Sequence, residues 1–158
     1  MTTPADWTQI DAPEVTYHAT MTSSAASIAW CGIRSIDSAW GAAGGRLGNG
    51  FYTHQDGKLA CEYVADVNPV LLRFKVTPCK GSLAPTDHSL WLGEWSRDAY
   101  DAVNVSAVFL AFTDPSGLEM KFNSGGYLTL EAMSDDRGDS YLSPFEWLQL
   151  HGQGNPAQ

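Results

Sequence analysis

The chain has 158 residues, 44% of them apolar and 11% aromatic, enough to bury a core at single-domain size. Nine Lys and Arg against 18 Asp and Glu give a formal charge of -9, which excludes the clustered basic footprint of general nucleic-acid binding. No apolar run approaches the ~20 residues needed to span a bilayer, and no basic-plus-apolar leader opens the sequence. The expectation is a soluble protein, cytoplasmic or delivered without a recognisable signal peptide.

Met1 to Pro13 is polar with two prolines and reads as an arm or docked extension. Val15 to Thr20 has strand-forming residues that break into small polar ones. Thr22 or Ser23 can cap a helix running through Ile28 and Trp30, with Gly32 placed to stop it. Trp40 to Gly50 is glycine-rich and reads as a tight or mobile loop. Phe51-Tyr52-Thr53 follows as a short strand. Asp56 then starts a second helix, with Leu59, Ala60, Tyr63 and Val64 as its apolar stripe and His54 exposed before it.

The second half reads mainly as strands. Val70 to Val76 sets Leu72, Phe74 and Val76 on one face and Leu71, Arg73 and Lys75 on the other. Further strands are expected over Val103–Phe112, Leu118–Phe122, Tyr127–Glu131 and Glu146–Leu150. Gly125-Gly126 reads as a hairpin turn, and Asp135 to Ser140 as a solvated loop. Helices early and strands late give an α+β class with antiparallel or mixed sheets. One domain over residues 14–152 follows the arm over 1–13, with a tail over 153–158. The tryptophans are expected mostly in the core, Trp40 and Trp95 being the two that could line a pocket.

Cys31, Cys61 and Cys79 are an odd set without C-x-x-C spacing, so buried or partly buried free thiols are expected, one disulfide with a leftover thiol being the alternative, and no zinc pattern includes them. Gly44-Gly45-x-x-Gly48-x-Gly50 lacks the Lys-Ser/Thr of a phosphate loop. Neither a Gly-x-Ser-x-Gly elbow nor a His-Glu-x-x-His helix occurs. Arg137-Gly138-Asp139 matches an adhesion tripeptide by chance.

Three stretches in fixed order carry chemistry: Tyr17-His18-Ala19-Thr20 ending a strand, a helix closing on Gly32-Ile33, and Leu47-Gly48-Asn49-Gly50-Phe51-Tyr52-Thr53 before a helix with Ala60 and Tyr63. Together they resemble the first half of an ADP-ribosyltransferase of the diphtheria-toxin and poly(ADP-ribose) polymerase type. That family shows Tyr-His-Gly-Thr, Gly-Ile, Gly-x-Gly-Phe-Tyr and Ala-x-x-Tyr-Ala in this sequence. The likeness covers about Val15 to Val76 and departs from the pattern at Ala19, where Gly is usual.

The resemblance implies an α+β fold whose sheets form a cleft for NAD⁺, with NAD⁺ as substrate and no metal. It implies that His18 hydrogen-bonds the adenosine-side ribose, while the Ala19 main chain clamps the nicotinamide amide with Thr20 beside it. Tyr52 stacks on the nicotinamide ring, Thr53 adjoins it, and Gly48 and Gly50 let the backbone approach. A carboxylate at the start of a late strand stabilises the oxocarbenium-like transition state. Glu146, in Ser143-Pro144-Phe145-Glu146-Trp147-Leu148, is the first choice, Glu119 the second, and Glu131 fits least.

The implied activity is mono-ADP-ribosyl transfer to an unidentified acceptor, in a toxin or effector by analogy alone. With water as acceptor the same site is an NAD⁺ glycohydrolase. Ala19 and the unsettled carboxylate also permit an inactive module that binds ADP-ribose or a protein partner.

Overall fold

A computed structural model of the chain describes residues 8–33, 51–64, 68–83, 111–113, 119–122 and 125–152. The architecture is mixed α+β, with mainly antiparallel strands and three short helices among the described residues. These elements fall into two compact units, the chain passing between them more than once.

The first unit holds β1 (Thr8–Asp11), the Phe51–Thr53 part of β3 (Phe51–His54), β5 (Lys80–Leu83), β6 (Ala111–Thr113) and β7 (Glu119–Phe122). β1 pairs antiparallel with β5 from Thr8↔Leu83 to Asp11↔Lys80, so the described end of the N-terminal arm is a docked strand. β5 pairs with β6 in parallel, and β6 with β7 antiparallel. The Thr53 hydroxyl donates to the Met120 carbonyl at 3.0 Å, tying β3 to β7. Phe51, Met120 and Phe122 are buried here, as hydrophobic burial demands of apolar side chains on paired strands.

The second unit holds β2 (Val15–Thr20), α1 (Thr22–Cys31), His54, α2 (Gly57–Glu62), β4 (Val70–Val76), β8 (Leu128–Ser134) and α3 (Pro144–Leu150). β4 is central, antiparallel to β2 on one side and to β8 on the other. Val70, Leu72, Phe74 and Val76 make one fully buried face, while on the other Leu71 is buried, Arg73 half-buried and Lys75 exposed. Leu72 and Phe74 are fully buried, each contributing about 1.5–3 kcal/mol by leaving water.

The register sets Tyr17 opposite Arg73 and Ala19 opposite Leu71, so these four share one face. His18, opposite Leu72, projects to the other. On the first face Leu71 packs with Ala60 and Cys61 of α2, and Tyr17, Ala19 and Tyr141 close around them. α1 packs against β4 and α3, and α3 also against β8, burying Ala25, Ala26, Ile28, Trp147 and Leu148.

Several sequence expectations change here. Glu146–Leu150 is not a strand but most of α3. Ser143 caps it, Pro144 stands in its first turn, and the amide of Glu146 donates to Ser143 Oγ at 3.2 Å. Met21, not Thr22 or Ser23, occupies the cap position of α1, and it makes no side-chain cap bond. Gly32 does end α1: at φ 72° its amide donates to the Ile28 carbonyl at 2.8 Å. Gly125-Gly126 lies in a 3-10 turn rather than a hairpin, since β7 pairs with β6 and β8 with β4. In α2 the buried positions are Ala60 and Cys61, while Leu59 and Tyr63 are exposed. Of the six tryptophans, Trp147 is fully buried and Trp30 is exposed; Trp40, Trp95 and the other two lie outside the described residues, as does Val103–Leu110.

Candidate functional site

Each candidate residue takes its position from its strand or helix. His18, Ala19 and Thr20 follow one another on β2 in the second unit, all half-buried. Alternation separates them: His18 and Thr20 share one face, and Ala19 the other with its methyl in the α2 core. The Ala19 main chain is in extended conformation within the β2–β4 ladder, so no left-handed φ is asked of it. The absence of Gly at this position therefore costs the backbone nothing.

Tyr52 and Thr53 lie on β3 in the first unit, Tyr52 half-buried and Thr53 buried. Glu119 opens β7 in the same unit, next to the Met120 carbonyl that holds Thr53. The structure thus brings Tyr52, Thr53 and Glu119 onto two neighbouring strands. Gly48 and Gly50 lie outside the described residues.

Glu146 does not stand at the start of a strand. It sits in the first turn of α3, exposed, with its Oε1 accepting from the Ser143 hydroxyl at 2.9 Å. Its carboxylate there serves the helix N-terminus, where negative charge is favoured. The rest of α3 is anchored by Asp135, whose Oδ1 accepts from Trp147 Nε1 at 2.9 Å and whose Oδ2 is 2.8 Å from His151 Nε2. The Trp147 and His151 rings stack at 4.1 Å between centroids, an i, i+4 pair. Glu131, on β8, is held by Arg73 at 3.0 Å in a half-exposed ion pair.

His54 is buried, not exposed as expected. Its Nδ1 accepts the Asp56 amide at 2.9 Å, which fixes the proton of the neutral ring on Nε2. Thr16 donates to the His54 carbonyl at 3.3 Å, and the Tyr63 ring lies 5.9 Å from the imidazole. Lys121 on β7 is also fully buried, an uncommon place for a lysine. Polar-apolar alternation in Glu119-Met120-Lys121-Phe122 reads as a strand with one wet face, so nothing in the sequence marks Lys121 as interior.

The three cysteines are free, Cys31 exposed and Cys61 buried. Burial pushes the Cys61 thiol up, against a smaller opposing pull from Arg137, and burial raises Cys79 likewise. Among the described residues no group of three His, Cys, Asp or Glu side chains is placed to hold a metal ion, and no helix is long and apolar enough to cross a membrane. No protein-family model, no curated protein and no solved structure matches this chain.

Proposed function

We propose that the chain is a mono-ADP-ribosyltransferase that cleaves the nicotinamide–ribose bond of NAD⁺ and passes ADP-ribose to an acceptor. What supports the reading is the order of elements around its motifs. A strand bears Tyr17-His18-Ala19-Thr20, a helix stops at Gly32, a strand bears Phe51-Tyr52-Thr53, and a capped helix buries Ala60 before the long strand β4. That is the succession on which the family resemblance was built.

Breaking the bond sends its electron pair out with neutral nicotinamide and leaves positive charge on the ribose. Tyr52, half-buried, offers a ring face for the cationic nicotinamide before it leaves. His18 offers a ring N–H to a ribose hydroxyl. The carboxylate that stabilises the developing cation is Glu119, because it opens a strand whereas Glu146 stands in the first turn of a helix.

The test is nicotinamide release from NAD⁺ by wild type and Tyr52→Ala, with and without cell lysate. Release that depends on lysate and falls by about 10²-fold or more in the variant is the expected result. Equal release without any acceptor makes water the acceptor and replaces transfer by NAD⁺ hydrolysis. No release by wild type under either condition overturns the enzymatic reading.

A further inference from the structure

A cavity of about 250 Å³ opens on the face of the second unit's sheet that carries Tyr17, the face opposite His18. Tyr17, Tyr141 and Leu71 line it, the two tyrosines packed against the cluster that holds Leu71. Lys58, from the first turn of α2, and Arg137, from the loop after β8, both line it. In a chain of net charge -9, two exposed cations lining one cavity run against the overall field. Asp56 is the single acid in the lining, and its Oδ1 is taken up by the amides of Lys58 and Leu59.

The loop that presents Arg137 is built to hold it. Arg137 has φ 57°, the left-handed region, and is the single non-glycine residue there among those described. Such a backbone persists only where its surroundings fix it. Asp136 supplies the fixing, accepting from the hydroxyls of Ser134 and Ser140 and from the Ser140 amide at 2.8 Å, while the Gly138 amide donates to Ser134 Oγ at 2.8 Å. Gly138 lies so close to the cavity wall that a Cβ there would meet the Tyr141 hydroxyl oxygen at 3.1 Å. A Cβ at Gly57 would meet Leu71 at 3.0 Å and Tyr17 at 3.2 Å. The Arg73 guanidinium lies 4.4 Å from the Tyr141 ring centroid and is paired with Glu131.

We propose that this cavity binds the phosphate group of a small phosphorylated molecule. The donors are a planar guanidinium fork, an ammonium and the Tyr141 hydroxyl, a set suited to the three terminal oxygens of a phosphomonoester. Burial holds the Tyr141 phenol above its ordinary value, so its hydroxyl stays a donor at neutral pH. The tyrosine walls take a ring or sugar carried by the phosphate. The volume is below the about 300–1,000 Å³ of pockets that enclose drug-sized ligands, room for a phosphate and the group next to it. The site gives no role to His18, Tyr52 or Glu119, which carry the NAD⁺ reading, although its Tyr17 belongs to the same stretch of β2.

The 158-residue chain is titrated with inorganic phosphate, phenyl phosphate and benzoate at constant ionic strength, following the Tyr17 and Tyr141 ring resonances by NMR. Wild type should bind phenyl phosphate at one saturable site, more tightly than inorganic phosphate, with benzoate weaker by about tenfold or more. Arg137→Gly and Lys58→Gln should each weaken phenyl phosphate by about tenfold. Glycine accepts the backbone at position 137 without strain, so lost binding in that variant is not lost folding, and an unchanged melting curve checks it. Equal binding of benzoate overturns the phosphate assignment. Unchanged affinity in both variants, or no saturable shift of either tyrosine, overturns the site.

Discussion

Asp56→Ala isolates what a single side chain contributes to α2. The helix is six residues long, well short of the about 12–15 at which an isolated helix holds in water, so it depends on its cap and on packing. Asp56 sits in extended conformation at φ -105°, ψ 113°, and its Oδ1 accepts from the amides of Lys58 at 3.0 Å and Leu59 at 3.2 Å. Alanine removes that acceptor. The two amides are at an exposed helix end where water replaces part of the loss, so the cost should fall mid-range for a cap, about 1 kcal/mol. Asparagine keeps an acceptor oxygen and gives up only the charge beside the helix N-terminus, worth about 0.3 kcal/mol. At this chain length about 1 kcal/mol moves the melting temperature by about 2–4 °C. Circular-dichroism melts of the two variants beside wild type should therefore rank them wild type, Asp56→Asn, Asp56→Ala. An Asp56→Asn loss equal to that of alanine would show that charge rather than capping matters. No loss in either would show that Ala60 and Cys61 hold α2 by packing alone.

Three further outcomes follow from the geometry. Leu72→Ala, at a fully buried position of the central strand, should cost about 2–5 kcal/mol in urea titration; a cost under about 1 kcal/mol would mean the site collapses to fill the space. Hydrogen bonds from Ser140 and Ser134 hold the Asp136 carboxyl down from 3.8 to about 2. Because the folded value is the depressed one, its contribution to stability is present above pH 3.8 and is lost as pH falls toward 2; a carboxyl NMR titration midpoint near 3.8 would remove the effect. Glu119→Gln should lower nicotinamide release by about 10²–10³-fold while Glu146→Gln changes it by less than about twofold, and the reverse ranking would return the catalytic role to Glu146.

The legible parts of the sequence are those governed by local rules. β4 announces itself by composition, α1 by its terminal Gly32, and α2 by Asp56, whose side chain makes the bonds a cap is expected to make. The helix at Ser143-Pro144-Phe145-Glu146 carried equally local signals, a capping Ser, a Pro in the first turn and a Glu three residues on. The resemblance instead implies a late strand here, because acid, aromatic and aliphatic residues stand in the family's order. His54 was misplaced for a different reason. Its burial follows from a ring tied back to the Asp56 amide, a loop geometry without periodicity. The cavity was illegible in principle: Tyr17 comes from a strand, Lys58 from a helix and Arg137 from a loop, and only the β2–β4–β8 pairing assembles them.

That pairing also makes the two proposals separable. Tyr17 and His18 are neighbours in sequence, yet strand alternation sends one ring to the cavity and the other to the opposite face. His18→Ala should then lower nicotinamide release and leave phenyl phosphate affinity within about twofold, while Arg137→Gly does the converse, since the side chains stand on opposite faces of the strand. Crossed effects have one physical route, through β2 itself: a shift of the strand that moved both side chains. If His18→Ala weakened phenyl phosphate and Arg137→Gly slowed release by matching factors, the cavity and the NAD⁺ face would be coupled sites, and occupancy of one would set the affinity of the other.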